Sequence, residues 1–239
     1  MTKLSVNINK IALIRNAREG NLPDIFQIAR DLESFGAQGI TVHPRPDERH
    51  IRFNDIPILK ELITTEFNIE GFPGERYIEA VLKYKPHQCT LVPDPPEALT
   101  SDNGWDTVKN MEYLKEIISE FKNAGIRVSI FLNPEIDMVY AAKETGTDRI
   151  EFYTGPYALN YGDDKVKAIK KYVEAGNVAH EIGLGINAGH DLNLKNLKFF
   201  IENLPYTDEV SIGHALVSDA LYYGLHNTVQ MYKALLGND

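Results

Sequence analysis

Along the chain, short apolar runs alternate with longer stretches whose apolar positions recur about every 3.6 residues. The short runs fall at 4–8 (LSVNI), 39–43 (GITVH), 67–71 (FNIEG), 88–93 (QCTLVP), 127–132 (RVSIFL), 149–154 (RIEFYT), 183–190 (GLGINAGH) and 209–214 (EVSIGH). They are rich in β-branched residues and read as unbroken rather than alternating, the pattern of parallel strands covered on both faces. Between them the spacing predicts helices over 22–37, 56–66, 74–84, 105–125, 135–146, 163–183, 194–204 and 218–237. Eight strands, each followed by a helix, predict an α/β protein built as one (β/α)8 barrel, a TIM barrel, over residues 1–239. A doubly wound open sheet would need a glycine fingerprint after the first strand, and NINKIALIRNAREG carries none.

Composition changes this picture little but limits function. A formal net charge of -9 argues against a general binder of nucleic acid or anionic membrane, so any anion site must gather its cations locally. The single cysteine, Cys89, rules out an internal disulfide and fits a reducing cytosol. MTKLSVNINK lacks the apolar run of a signal peptide, and no segment approaches membrane-spanning length. The expectation is a cytoplasmic, soluble protein.

In such barrels the site lies where strands end and the following loops converge. Read that way, the first two strands present Asn7, Asn9 and His43, and the third presents Glu70. Pro93, with Thr100 in the long loop beyond it, and Asn133 end the next two. The last three carry Glu151, Thr154, Asn187, His190, Gly213 and His214. A strand-end histidine is ordinarily a hydrogen-bonded rim residue. Three of them with two carboxylates point to proton-transfer chemistry. Glu70 is the sharper carboxylate, since an ionised side chain within FNIEG is costly unless paired or protonated, and an arginine could supply the pairing. Glu151 has Arg149 as a structural partner close by. His87 falls at the opposite end of the barrel, while His180 and His226 fall on helix surfaces.

NAGHD (187–191) and SIGHA (211–215) can each place backbone N–H groups and a helix N-terminus against an anion. Arg45 and His50, in the stretch HPRPDERH, form a second cationic cluster; Arg49 beside them reads as a solvated charge, and Arg18 in the first loop could serve either anion. Two anion sites suggest two phosphorylated substrates or one bisphosphate.

The stretches VNINKIALIRNAR, GITVHPRPDERHI, NIEG, TLVPD, IEFYTG, INAGHDL and VSIGHAL together resemble the pyridoxine 5'-phosphate synthase family. The resemblance runs from about residue 4 to the last helix. It implies a barrel with extra helices, assembled as a homo-octamer, that needs neither metal nor redox cofactor. The implied reaction condenses 3-amino-2-oxopropyl phosphate with 1-deoxy-D-xylulose 5-phosphate, giving pyridoxine 5'-phosphate, phosphate and water. By the same resemblance His43 and Glu70 are proton acceptors, His190 is the proton donor, and Glu151 stabilises a transition state. Asn7, Arg18, Asp191, Gly213 and His214 fall where the aminoketone phosphate is held. Asn9, Lys10, Arg45, His50 and Thr100 fall where the deoxyxylulose phosphate is held. The chain departs from the family's usual residues at Asn9 and Lys10, where aspartate and histidine are common, and at Asp191, where glycine is common.

Other readings have weaker support. A Schiff-base aldolase wants a lysine on a barrel strand, and no run supplies one near its end; Lys10 reads as a loop residue. A metal-dependent hydrolase could draw on the same histidines and glutamates, but no pair shows HxH or HExxH spacing. A phospho-ligand binding barrel without turnover has no use for His43, Glu70 and His190 together.

Overall fold

In the computed structural model, residues 1–94 and 101–237 are described. Eight parallel strands close into a barrel in the order β1-β2-β3-β4-β5-β6-β7-β8. They are β1 (Lys3–Asn7), β2 (Gly39–Val42), β3 (Glu66–Gly71), β4 (Gln88–Leu91), β5 (Arg127–Leu132), β6 (Arg149–Phe152), β7 (Gly185–Gly189) and β8 (Thr207–Ile212). The helices are α1 (Asn9–Asn16), α2 (Ile25–Ser34), α3 (Asp55–Leu62), α4 (Glu75–Tyr84), α5 (Met111–Asn123), α6 (Ile136–Glu144), α7 (Gly155–Glu181), α8 (Leu197–Asn203), α9 (His214–Tyr223) and α10 (Leu225–Leu235). Among the described residues, no helix is long and apolar enough to cross a membrane.

The barrel architecture agrees with the sequence pattern, but three details differ. The strands do alternate. Leu4, Val6, Ile40, Val42, Phe67, Ile69, Cys89, Leu91, Val128, Ile130, Ile150, Phe152, Val210 and Ile212 are all buried against the helix layer. Between them Ser5, Thr41, Asn68, Gln88, Thr90, Ser129, Glu151, Asn187 and Glu209 turn inward. Threonine and serine had made the runs look continuous, because they suit a strand and are small. The hydrophobic core is therefore the annulus between strands and helices, and the barrel lumen is polar.

Hydrogen bonds link that lumen across strands. Ser5 Oγ lies 2.7 Å from Thr41 Oγ1, Asn68 Nδ2 donates to Thr90 Oγ1 at 3.1 Å, and Arg149 Nη1 donates to Asn187 Oδ1 at 3.1 Å. Buried polar groups are tolerable when paired in this way.

The second difference lies just after β1. The chain enters α1 almost directly, placing Asn9 and Lys10 at a helix start rather than in a loop. The third is at the C-terminus, where the helix expected over 218–237 divides into α9 and α10. Gly224 between them holds φ 75° and ψ 150°, outside helical space and accessible to glycine. At its other end α9 begins at His214, one residue beyond β8.

Candidate active site

The strand ends open into one cavity of about 440 Å³, a size suited to small-molecule ligands. His43, Glu70, Glu151 and His190 all line it, together with Asn7, Asn9, Lys10, Arg45, His50, Asp191, Gly213 and His214. Four titratable side chains predicted from four separate strands are thus brought together. Arg18 stands apart, exposed beyond α1 and outside the cavity lining. Thr100 lies outside the described residues.

The first three strands build the acid–base centre. Asn7 Nδ2 donates to Glu70 Oε2 at 3.2 Å, and His43 Nδ1 lies 3.9 Å from that oxygen. Asn9 ties the start of α1 to the end of β2. Its Oδ1 accepts from the His43 backbone N–H at 2.9 Å, while its own N–H donates to Asn7 Oδ1 at 3.0 Å. An amide oxygen is sufficient for that task, which holds the end of β2 against α1.

Burial pushes the Glu70 carboxyl up to about 8; nearby Asp94 adds to this and Arg45 opposes it. Burial likewise holds His43 well below the usual imidazole range, assisted by Arg45, His50 and Arg49. At neutral pH the pair is therefore a neutral imidazole beside a largely protonated carboxyl. Burial also raises Glu151 well above the carboxylate range, reinforced by Glu70 and opposed by a hydrogen bond from Thr90. Gly189 makes room for Glu151, since a Cβ there would stand 3.0 Å from Glu151 Oε1 and 2.5 Å from the Ser211 carbonyl.

On one side, Arg45 Nη2 donates to Asp94 Oδ2 at 2.6 Å, and the Ser101 hydroxyl bonds the same oxygen. All three residues are buried. His50 accepts from the Ile51 N–H through Nδ1 at 2.9 Å, so its neutral ring carries its proton on Nε2. Burial, with Arg45 and Arg49, lowers His50 to about 4. The segment carrying these residues is anchored on α1 by a buried two-pronged ion pair. Arg15 Nη1 and Nη2 reach Asp55 Oδ1 and Oδ2 at 3.0 and 2.9 Å, and Nη2 also donates to the His50 carbonyl at 2.9 Å.

Across the cavity, Gly213 precedes α9, so the helix's first N–H groups and partial positive charge meet the cavity. Gly213 is needed for close packing, as a Cβ there would lie 3.1 Å from Asn7 Cβ. The same motif after β7 works differently from its sequence reading. No helix follows NAGHD directly, because α8 starts only at Leu197. Instead His190 takes φ 66°, a left-handed conformation that costs a non-glycine residue about 1–2 kcal/mol.

Sequence reading missed Arg15, Asp55 and Asp94. Each is charged and buried only because its partner comes from a distant element. Among the described residues, no three His, Cys, Asp or Glu side chains converge to hold a metal ion.

The fold and site define a (β/α)8-barrel enzyme whose rim combines acid–base groups with cations and backbone donors suited to small phosphorylated molecules. Residues 4–238 match the family model of the pyridoxal phosphate biosynthesis protein PdxJ, and the chain belongs to that family. It is 60% identical over 236 residues to the pyridoxine 5'-phosphate synthase of Christiangramia forsetii, covering 99% of this chain and 100% of that one. It is 58% identical over 238 residues to the enzyme of the same name from Parabacteroides distasonis, covering 100% of both. Among solved structures, a thiamine phosphate pyrophosphorylase from Pyrococcus furiosus aligns with a TM-score of 0.64 at 10% identity, covering 99% of this chain and 95% of that one. That likeness concerns the fold alone.

Proposed function

We propose that this protein is a pyridoxine 5'-phosphate synthase, joining 3-amino-2-oxopropyl phosphate to 1-deoxy-D-xylulose 5-phosphate. The observation that carries this reading is the convergence of His43, Glu70, Glu151 and His190 on one cavity between two anion-suited walls. Family membership supplies the substrate pair.

The chemistry suits these groups. The amine of one substrate adds to the ketone of the other, and the carbinolamine loses water. A proton then leaves the carbon beside the imine, phosphate is expelled, and an aldol-type closure with dehydration completes the aromatic ring. Every step is an addition, an elimination or a proton transfer. His43, held neutral, accepts protons without first losing one of its own. Glu70, poised near 8, changes protonation close to working pH, where a general base or acid is most effective. Glu151, kept protonated, donates a hydrogen bond to oxygen as negative charge develops on it. His190 protonates the departing oxygen.

Arg45 and His50 hold the deoxyxylulose phosphate. The N-terminus of α9, with His214, holds the aminoketone phosphate. The reaction proceeds without metal or redox cofactor, in the cytoplasm. Leu221 and Tyr222, 77% and 87% exposed at the end of α9, contribute to the subunit contacts of a homo-octamer. Light scattering should return eight times the chain mass, and a monomer would remove that part of the proposal.

The primary test mixes purified protein with both substrates and a chelator, following phosphate release and the ring product by mass spectrometry. Pyridoxine 5'-phosphate formed under chelator is expected. Binding of both substrates without any product would leave a phosphosugar-binding barrel instead.

A further inference from the structure

Asp191 carries a carboxylate into a site proposed to hold phosphate, where an anion should repel the ligand. The structure shows how that charge is used. Asp191 Oδ2 lies 2.7 Å from His190 Nδ1, a short hydrogen bond between neighbours whose side chains would ordinarily diverge. His190 itself holds a left-handed φ of 66°.

Asp191 is also held from behind. Its backbone carbonyl accepts from Asn193 Nδ2 and Asn196 Nδ2, both at 3.2 Å. Asn196 is buried, and its own carbonyl is fixed by the Tyr157 hydroxyl at 2.7 Å. Leu192, the next residue, is buried as well.

We propose that Asp191 is a positioning residue for His190. It fixes the Nδ1–H tautomer and directs Nε2, the nitrogen that hands over the proton, toward the substrate. This rests on His190 acting as the proton donor. A carboxylate hydrogen-bonded to one ring nitrogen selects which nitrogen carries the exchanging proton. The pairing also turns the carboxylate toward the imidazole, leaving the α9 backbone N–H groups to meet the phosphate. Consistently, the His190 hydrogen bond holds the Asp191 carboxyl below its usual range against the opposing effect of burial, with His214 adding to the lowering. The other titratable groups around the pair are His214 at the start of α9, Tyr153 and Tyr172 beside β6 and on α7, Glu151 on β6, and Asp102 in the segment after β4.

The test compares wild type with Asp191→Ala and Asp191→Asn. Asp191→Ala should lower kcat by about 10- to 100-fold, part of the 10²–10⁴-fold effect of a full general acid. KM for both substrates should change by less than about threefold. Asp191→Asn keeps an acceptor for Nδ1–H, so it should retain more activity than Asp191→Ala. A loss confined to KM would overturn the proposal. Solid-state 15N spectra of histidine-labelled protein, assigned by difference with His190→Asn, read the tautomer without turnover. The Nδ1–H form should be present in wild type and lost in Asp191→Ala. Wild type that makes no product would defeat the functional reading, whereas an Nε2–H tautomer in wild type would defeat the pairing itself.

Discussion

Glu70→Gln should all but abolish product formation, lowering kcat by about 10²–10⁴-fold, the range for removal of a general acid–base group. Glutamine preserves the shape and can still accept from Asn7, so substrate binding measured by calorimetry should stay close to that of wild type. Near-normal turnover would remove Glu70 from the mechanism. In wild type, kcat/KM should rise with pH and level off above about 8, as the carboxyl loses its proton. His43 is held well below that range, so it cannot create the same flank. Residual activity of Glu70→Gln should lack it.

The same substitution should stabilise the protein in alkali. A carboxyl raised from 4.5 to about 8 on folding contributes stability that is fully present below 4.5 and is lost as pH rises through 8. Glutamine does not titrate. Above pH 8 the variant should therefore exceed wild type by on the order of a few kcal/mol at most. Melting temperatures measured between pH 6 and 9 should fall more steeply for wild type; parallel curves would show that Glu70 is not the buried titrating group described.

Asp55→Ala should cost about 3–5 kcal/mol, because it leaves Arg15 charged and buried without its partner. For a chain of this size, that is a drop in melting temperature of roughly 10 °C. The activity effect has a different origin. Arg15 and Asn16 together hold the His50 carbonyl, at 2.9 and 2.7 Å, so loosening them should raise KM for 1-deoxy-D-xylulose 5-phosphate more than it lowers kcat. Arg15→Met combined with Asp55→Leu should recover most of the stability, since an apolar pair can replace a buried ion pair at little cost. The raised KM should persist in that double variant. If KM recovered along with stability, the anchoring role of Arg15 would be wrong.

The barrel was legible because its evidence is local: β-branched runs, helical spacing, and glycine near helix ends. The strand-end histidines and Glu70 could be found by the same logic, because barrel closure brings all strand ends to one rim. The polar lumen was not legible. Branched apolar side chains ordinarily fill such barrels, so the serines and threonines in these strands were read as part of continuous runs. Arg15 and Asp55 stand 40 residues apart, and nothing in either segment distinguishes a buried arginine from a solvated one on an exposed helix face. Asp94 escaped notice for the same reason. Asp191 was visible only as a charge in an unexpected place; its hydrogen bond to His190 is a matter of side-chain geometry.

The inward polar and outward apolar faces of each strand have an evolutionary consequence. Outward residues carry the packing that keeps the chain folded, and inward ones carry the charges that tune the rim. Because neighbouring residues on a strand face opposite ways, selection can alter one set with limited effect on the other. Thermal tolerance should therefore drift through positions such as Val128 and Ile150, and reactivity through Glu70 and Glu151, along largely independent routes.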